Sequence, residues 1–107
     1  VNSQKEQAMA LSKFGFIVKG AGLDPAIHRT ELKSSTFSMI AVGVSNIEEA
    51  PSVAAQMKAE GIELIELCGA FGPSATAAVS RVLGSDYPIG TVTYGPDAID
   101  PMHKLFS

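Results

Sequence analysis

The chain has 107 residues, 46% hydrophobic and 18% charged, with no tryptophan, a single cysteine and a net charge of −3. That length suits one domain, with a core of Val, Ile, Leu, Ala and Met. No Lys/Arg cluster exceeds two residues, no run approaches the roughly 20 apolar residues of a membrane span, and one cysteine cannot close an internal disulfide. These features exclude a nucleic-acid surface and a membrane partner and predict a cytoplasmic protein.

Residues 1–12 (VNSQKEQAMALS) form a polar lead-in without an apolar run of signal-peptide length, so the domain is expected over 13–107. KFGFIVKG (13–20) is a short apolar run bounded by lysines and glycine, the first predicted strand. In AGLDPAIHRTELKSS (21–35), Asp24-Pro25 can start a helix over 25–33, although Ile27 and Leu32 are its only inward candidates. TFSMIAVGV (36–44) is the second strand. A helix follows within 45–61: Ser45 and Glu48 have capping-box spacing, Gly61 is a stop, and Ile47, Ala50, Ala54 and Met57 share a face. Pro51 either kinks that helix or belongs to its first turn.

IELIELC (62–68) is the third strand, and GPSATAAVSRVLG (72–84) a helix opened by Pro73 and closed by Gly84. Its inward stripe is Ala75, Ala78, Val79, Val82 and Leu83. PIGTVTYG (88–95) is the fourth strand, and Asp100-Pro101 opens a short C-terminal helix. Strands alternating with helices predict an α/β fold with a four-stranded parallel sheet. The leading topology is a small doubly wound, flavodoxin-like sheet of order 2-1-3-4, with FGFIV next to the centre. The alternative is a half-barrel of order 1-2-3-4.

A ligand site in the leading topology lies beyond the carboxyl ends of strands one and three. The loops there, KGAG (19–22) and CGAFG (68–72), bring Gly20, Gly22, Gly69 and Gly72 to the crevice, and the second runs into the Pro73 helix, where the Ser74 amide and its neighbours favour an anion. Alternation puts Ile62, Leu64, Glu66 and Cys68 on one face and Glu63 on the other. Glu66 needs a partner or water, and Lys19 at the end of strand one is the candidate. The candidate catalytic groups are therefore Glu66, Lys19 and Cys68, for acid/base or thiol chemistry. Against this stand a structural ion pair for Glu66 and a small buried hydrophobe for Cys68, the commoner fates of such residues.

His28 and His103 follow strands one and four and are further ligand-site candidates, with surface or capping positions as their commoner roles. AFGPSA (70–75) and TYGPDA (93–98) repeat aromatic-Gly-Pro-x-Ala at a strand exit, which makes Phe71 and Tyr94 two possible walls of one pocket. No metal-ligand spacing or nucleotide fingerprint is present, and no metal or cofactor is assigned. Two functions remain: a site for a small anionic or carbonyl-bearing molecule, or a non-catalytic oligomeric or regulatory module. Four strands leave two edges, so a homodimer or higher oligomer is expected.

The segments KFGFIVKGAGLDP, VGVSNIEEA, IELIELCGAFGP and VTYGP together resemble a family of small bacterial proteins known only as a domain of unknown function. The similarity runs over residues 13–106. It implies a free-standing cytoplasmic domain of bacterial type and brings no activity, cofactor or catalytic residue.

Overall fold

A computed structural model describes residues 10–107; the first nine residues of the polar lead-in lie outside the described residues. Five strands form one mixed sheet: β1 (Lys13–Lys19), β2 (Arg29–Lys33), β3 (Ser38–Val44), β4 (Leu64–Leu67) and β5 (Ile89–Thr91). The helices are α1 (Ala50–Ala59), α2 (Gly72–Leu83) and α3 (Ile99–Phe106), and short 3-10 turns precede α1 and α3. The strand order is β2-β3-β1-β4-β5, with every pair parallel except β2 on β3.

This overturns both expected topologies, because the sheet has a fifth strand, is mixed, and is not doubly wound. The helix expected over 25–33 is replaced by a turn and β2. All five β2 residues are exposed, so a helix there had no apolar stripe to bury. RTELK instead alternates, and its Thr30 and Leu32 pair with Ala41 and Met39. A four-residue loop closes the hairpin: the Ser34 N–H donates to the Phe37 carbonyl, and the Ser34 hydroxyl accepts from the Thr36 and Phe37 amides. The charged strand then protects that edge against further pairing.

Both long helices lie on one side of the sheet. The β3–α1–β4 and β4–α2–β5 crossovers step in the same direction, so right-handedness sends them to the same face, where α1 packs on α2. The β1-to-β3 connection steps the opposite way, and a helix in it would have covered the other face. Parity along the strands confirms the asymmetry. Ile17, Val42, Val44, Ile65 and Leu67 point under the helices and are buried, together with Ala50, Val53, Ala54, Met57, Val79 and Leu83 from the helices. Phe14, Phe16, Val18, Met39, Ala41 and Leu64 point the other way and stay half-exposed.

Local signals act with small shifts. The cap ahead of α1 moves one residue on: the Glu49 carboxylate accepts from the Ser45 and Asn46 amides at 3.0 Å each. Pro51 sits in the first turn of α1, where its missing N–H costs nothing. Gly61 (φ 94°) and Gly84 (φ 96°) end α1 and α2 in backbone that favours glycine. Val82, expected to face inward, is 50% exposed on the outside of α2.

Candidate functional site

At the carboxyl end of β4 the chain turns through Cys68, Gly69, Ala70 and Phe71, with the Phe71 N–H donating to the Cys68 carbonyl. Gly72, at φ 68°, then redirects the backbone into α2, and Pro73 opens the helix. No side chain caps the first turn of α2, so its free amides remain available. Beside it β5 ends at Thr91, and the Val92 N–H donates to the Leu67 carbonyl, which holds the exit strip 92–94 against the β4 turn.

These elements enclose an open cleft of about 730 Å³ between α2 and β5. Its walls are Gly69, Gly72, Pro73, Thr76, Ala77 and Ser80 on one side and Ile89, Thr91, Val92, Thr93 and Tyr94 on the other. Apolar surface dominates, and no lining side chain carries a charge. The polar groups are hydroxyls and backbone. Thr76 donates to the Gly72 carbonyl at 2.6 Å and shares a short hydrogen bond with the Thr91 hydroxyl, tying α2 to β5 at the floor. Tyr94 lies against Gly69 so closely that a Cβ there would sit 2.8 Å from Cε2 of the ring. The glycine is what lets the ring approach.

Of the residues singled out from sequence, Gly69, Gly72 and Tyr94 line this cleft, and Ser74 lies in the first turn of α2. Phe71 does not form the second wall: it is 5% exposed and belongs to the core, while Tyr94 is 57% exposed. The Lys19–Glu66 ion pair does not form among the described residues, whose one salt bridge joins Arg29 to Glu60. β1 and β4 are adjacent, but Glu66 is level with Phe16, three residues from Lys19 and on the opposite side of the sheet. Cys68 is half-buried, and its Sγ accepts the Lys19 backbone N–H at 3.3 Å.

Gly20 and Gly22 belong to the turn after β1, away from the cleft; Leu23 packs over Gly20, whose Cβ would meet it at 2.8 Å. His28 is a turn residue, its Nδ1 accepting the Asp24 N–H at 2.8 Å. It immediately precedes β2, one edge strand, whereas His103 lies on α3, which follows the opposite edge strand β5 in the chain. The two histidines and the thiol are therefore not one constellation. Among the described residues no cluster of three or more His, Cys, Asp or Glu could hold a metal ion, and no helix is long and apolar enough to cross a membrane.

Sequence reasoning missed the outer face of α2 and the β5 strip. The available signal was the run of small residues Thr76, Ala77 and Ser80, which cannot fill space beside a sheet edge.

The chain belongs to a family of unknown function, DUF6506, whose profile matches residues 12–107. No curated protein and no solved structure matches it.

Proposed function

We propose that this domain binds a small molecule in the cleft between α2 and β5, with an apolar body and a carboxylate or carbonyl end. The supporting observation is the cleft itself: about 730 Å³, within the range of small-ligand sites, apolar on its walls and next to the uncapped first turn of α2. The apolar end of such a molecule packs on Pro73, Ala77, Ile89 and Val92. Its polar end meets the Gly72 and Ser74 amides, with Tyr94 across the opening. The cleft thus lies between α2 and β5, at the β5 side of the sheet rather than in the β1–β4 crevice expected from sequence. Without a charged side chain in the lining, the site favours binding over acid/base chemistry. Cys68, Lys19 and Glu66 take no part in it. The resemblance to bacterial proteins and the single unpaired cysteine support a cytoplasmic domain of bacterial type.

The test is an amide NMR titration with acetate, sulfate and phenylacetate, beside native mass spectrometry of the purified protein. Phenylacetate is expected to move the Gly69, Gly72, Ser74 and Thr93 resonances more than acetate or sulfate does. A Gly69→Ala variant, which displaces Tyr94, is expected to blunt that response. Unmoved resonances with all three probes and no co-purifying small molecule would reject the site.

A second reading rests on a separate observation. α3 exposes Ile99 (67%), Leu105 (72%) and Phe106 (76%), an apolar stripe with nothing described against it. That supports an oligomeric or regulatory interaction module as the alternative.

A further inference from the structure

Residues 93–107 form an arm joined to the rest of the domain at one place. The last backbone hydrogen bond to the body is the Val92 N–H on the Leu67 carbonyl. Beyond it the bonds are internal, such as the Ala98 N–H on the Gly95 carbonyl and the Ser107 hydroxyl on the Lys104 carbonyl. Among the described residues, no other hydrogen bond or ion pair ties the arm to the body. α3 packs chiefly on the 3-10 turn in front of it. Residues 92–97 are all exposed, and a Cβ built on Gly95 meets nothing within 4 Å. A segment with so few anchors moves at low free-energy cost, and 93–97 is its hinge.

On α3, Ile99, Met102, Leu105 and Phe106 share one side of the helix, and Asp100, His103 and Lys104 the other. Ile99, Leu105 and Phe106 are exposed. Next to the arm lies the α2–β5 cleft, apolar and without a charged side chain in its lining. Ile99 is five chain steps from Tyr94 at the cleft mouth, at most about 18 Å even when fully extended. α3 itself is about 12 Å long.

We propose that α3 is a lid: hinged at 93–97, it closes over the cleft and lays its apolar side on a molecule bound there. The proposal rests on the cleft being a small-molecule site and adds the gating of that site. The tether favours this helix over any separate chain, because a cover on so short a linker has an effective concentration of order millimolar. The two surfaces match in charge: neither the lining nor the apolar side of α3 has any, so closure buries no ion and leaves Asp100, His103 and Lys104 in water. Closure also breaks no hydrogen bond to the body, since none is made beyond Val92. The guest decides when it happens. A helix laid over a cleft of about 730 Å³ by itself would span a void whose walls make no contacts. An apolar molecule in the cleft gives the helix a surface to pack on, and the helix in turn keeps water off that molecule and slows its release.

NMR of the full chain titrated with phenylacetate tests the proposal, beside binding to variants of the lid. The Gly95, Ile99, Met102 and Phe106 amides are expected to shift together with those of Gly72 and Ser74, and the Phe106 ring to gain NOEs to the Ala77 methyl. Phe106→Ser and Ile99→Ser change residues 76% and 67% exposed, so the fold should tolerate both. Each is expected to weaken phenylacetate binding by about tenfold, what burying one large apolar side chain contributes. Lys104→Ser, on the polar side, is expected to bind as the parent does. Cleft amides that respond while those of α3 stay unmoved overturn the lid and leave the cleft standing. Parent-like binding by the Ile99→Ser, Phe106→Ser double variant does the same. No response at Gly72 and Ser74 rejects the cleft, and the lid with it. NOEs found only between labelled and unlabelled chains of a mixed sample put α3 on a second copy, which also overturns the lid.

Discussion

The two faces of the sheet are built from the same strands and have opposite environments. Under α1 and α2, Ile17, Ile65 and Leu67 are fully buried. One residue along in each case, Phe16, Leu64 and Glu66 point away from the helices and keep part or all of their surface in solvent. The difference arises in connection geometry rather than in residue type. Residues 45–63 and 68–88 carry helices back over one face, whereas 20–37 carry a turn and a hairpin strand that lie at the end and edge of the sheet. Among the described residues, β1 is therefore apolar on both sides while the helices cover only one of them.

The largest effect expected from this comparison is in β4. Ile65→Ala removes a fully buried side chain from beneath the helices and should cost about 2–5 kcal/mol. Its neighbour Leu64→Ala, on the open face, should cost well under half of that in dilute protein. Urea unfolding of both variants beside the parent checks this. Equal penalties in dilute protein would erase the distinction between the faces.

Two glycines make the same comparison by addition. A Cβ on Gly15 would sit 3.0 Å from Cγ2 of Ile62 and 3.1 Å from Sδ of Met57, inside the packed layer. Gly15→Ala should therefore lower stability by about 1–3 kcal/mol. Gly90→Ala meets open space at a strand position without positive φ, so it should be neutral or stabilising by a few tenths of a kcal/mol, about what restricting the unfolded chain contributes. Thermal unfolding of the pair decides whether one face is tight and the other open.

Much of the covered half was legible from sequence. The apolar runs of β1, β3 and β4, Pro73 and Gly84 around α2, and Gly61 after α1 are strong local signals, and each marks an element that buries its own side chains. β2 was not legible, because RTELK buries nothing; its place is set by the Ser34 turn and by pairing with β3, and neither leaves an apolar pattern. Glu66 was misread for a related reason. Strand adjacency to β1 is visible in the connection logic, but register and parity decide which residues meet, and these put Lys19 on the other side of the sheet. The cleft was half legible: the glycines and Tyr94 stand out, whereas the Thr76–Thr91 floor depends on how α2 lies against β5.

A smaller effect lies at the lower edge of the covered face. The Tyr87 hydroxyl donates to the Ile62 carbonyl, and its ring lies 5.7 Å from the Lys58 ammonium. Burial, and then the negative Glu63, push the phenol above its ordinary value of 10.0. Tyr87→Phe keeps the ring and leaves a partly buried carbonyl without its donor. It should cost about 1 kcal/mol, read as a lower urea midpoint with an unchanged slope.

The smallest effect separates the two carboxylates of the third strand segment. Glu66 points away from the helices, and its carboxylate has no hydrogen bond or ion pair among the described residues. Glu63 is tied in: its Oε1 accepts the Ser12 and Lys13 amides at 2.9 Å each and the Ser12 hydroxyl at 3.2 Å. The Ser12 amide foremost, then the Lys13 amide, hold its pKa below the ordinary 4.5. A carboxyl with a lower pKa folded than unfolded binds fewer protons in the folded state, so it stabilises the fold above 4.5 and loses that contribution as pH falls through the folded value. Glu63→Gln should therefore be less stable than the parent at neutral pH, with the gap narrowing below about pH 4.5 as the parent's own carboxyl protonates. Urea midpoints for the parent and Glu63→Gln from neutral pH down to about pH 3 check this, and a constant gap throughout would mean that the Ser12 and Lys13 amides do not select the charged form.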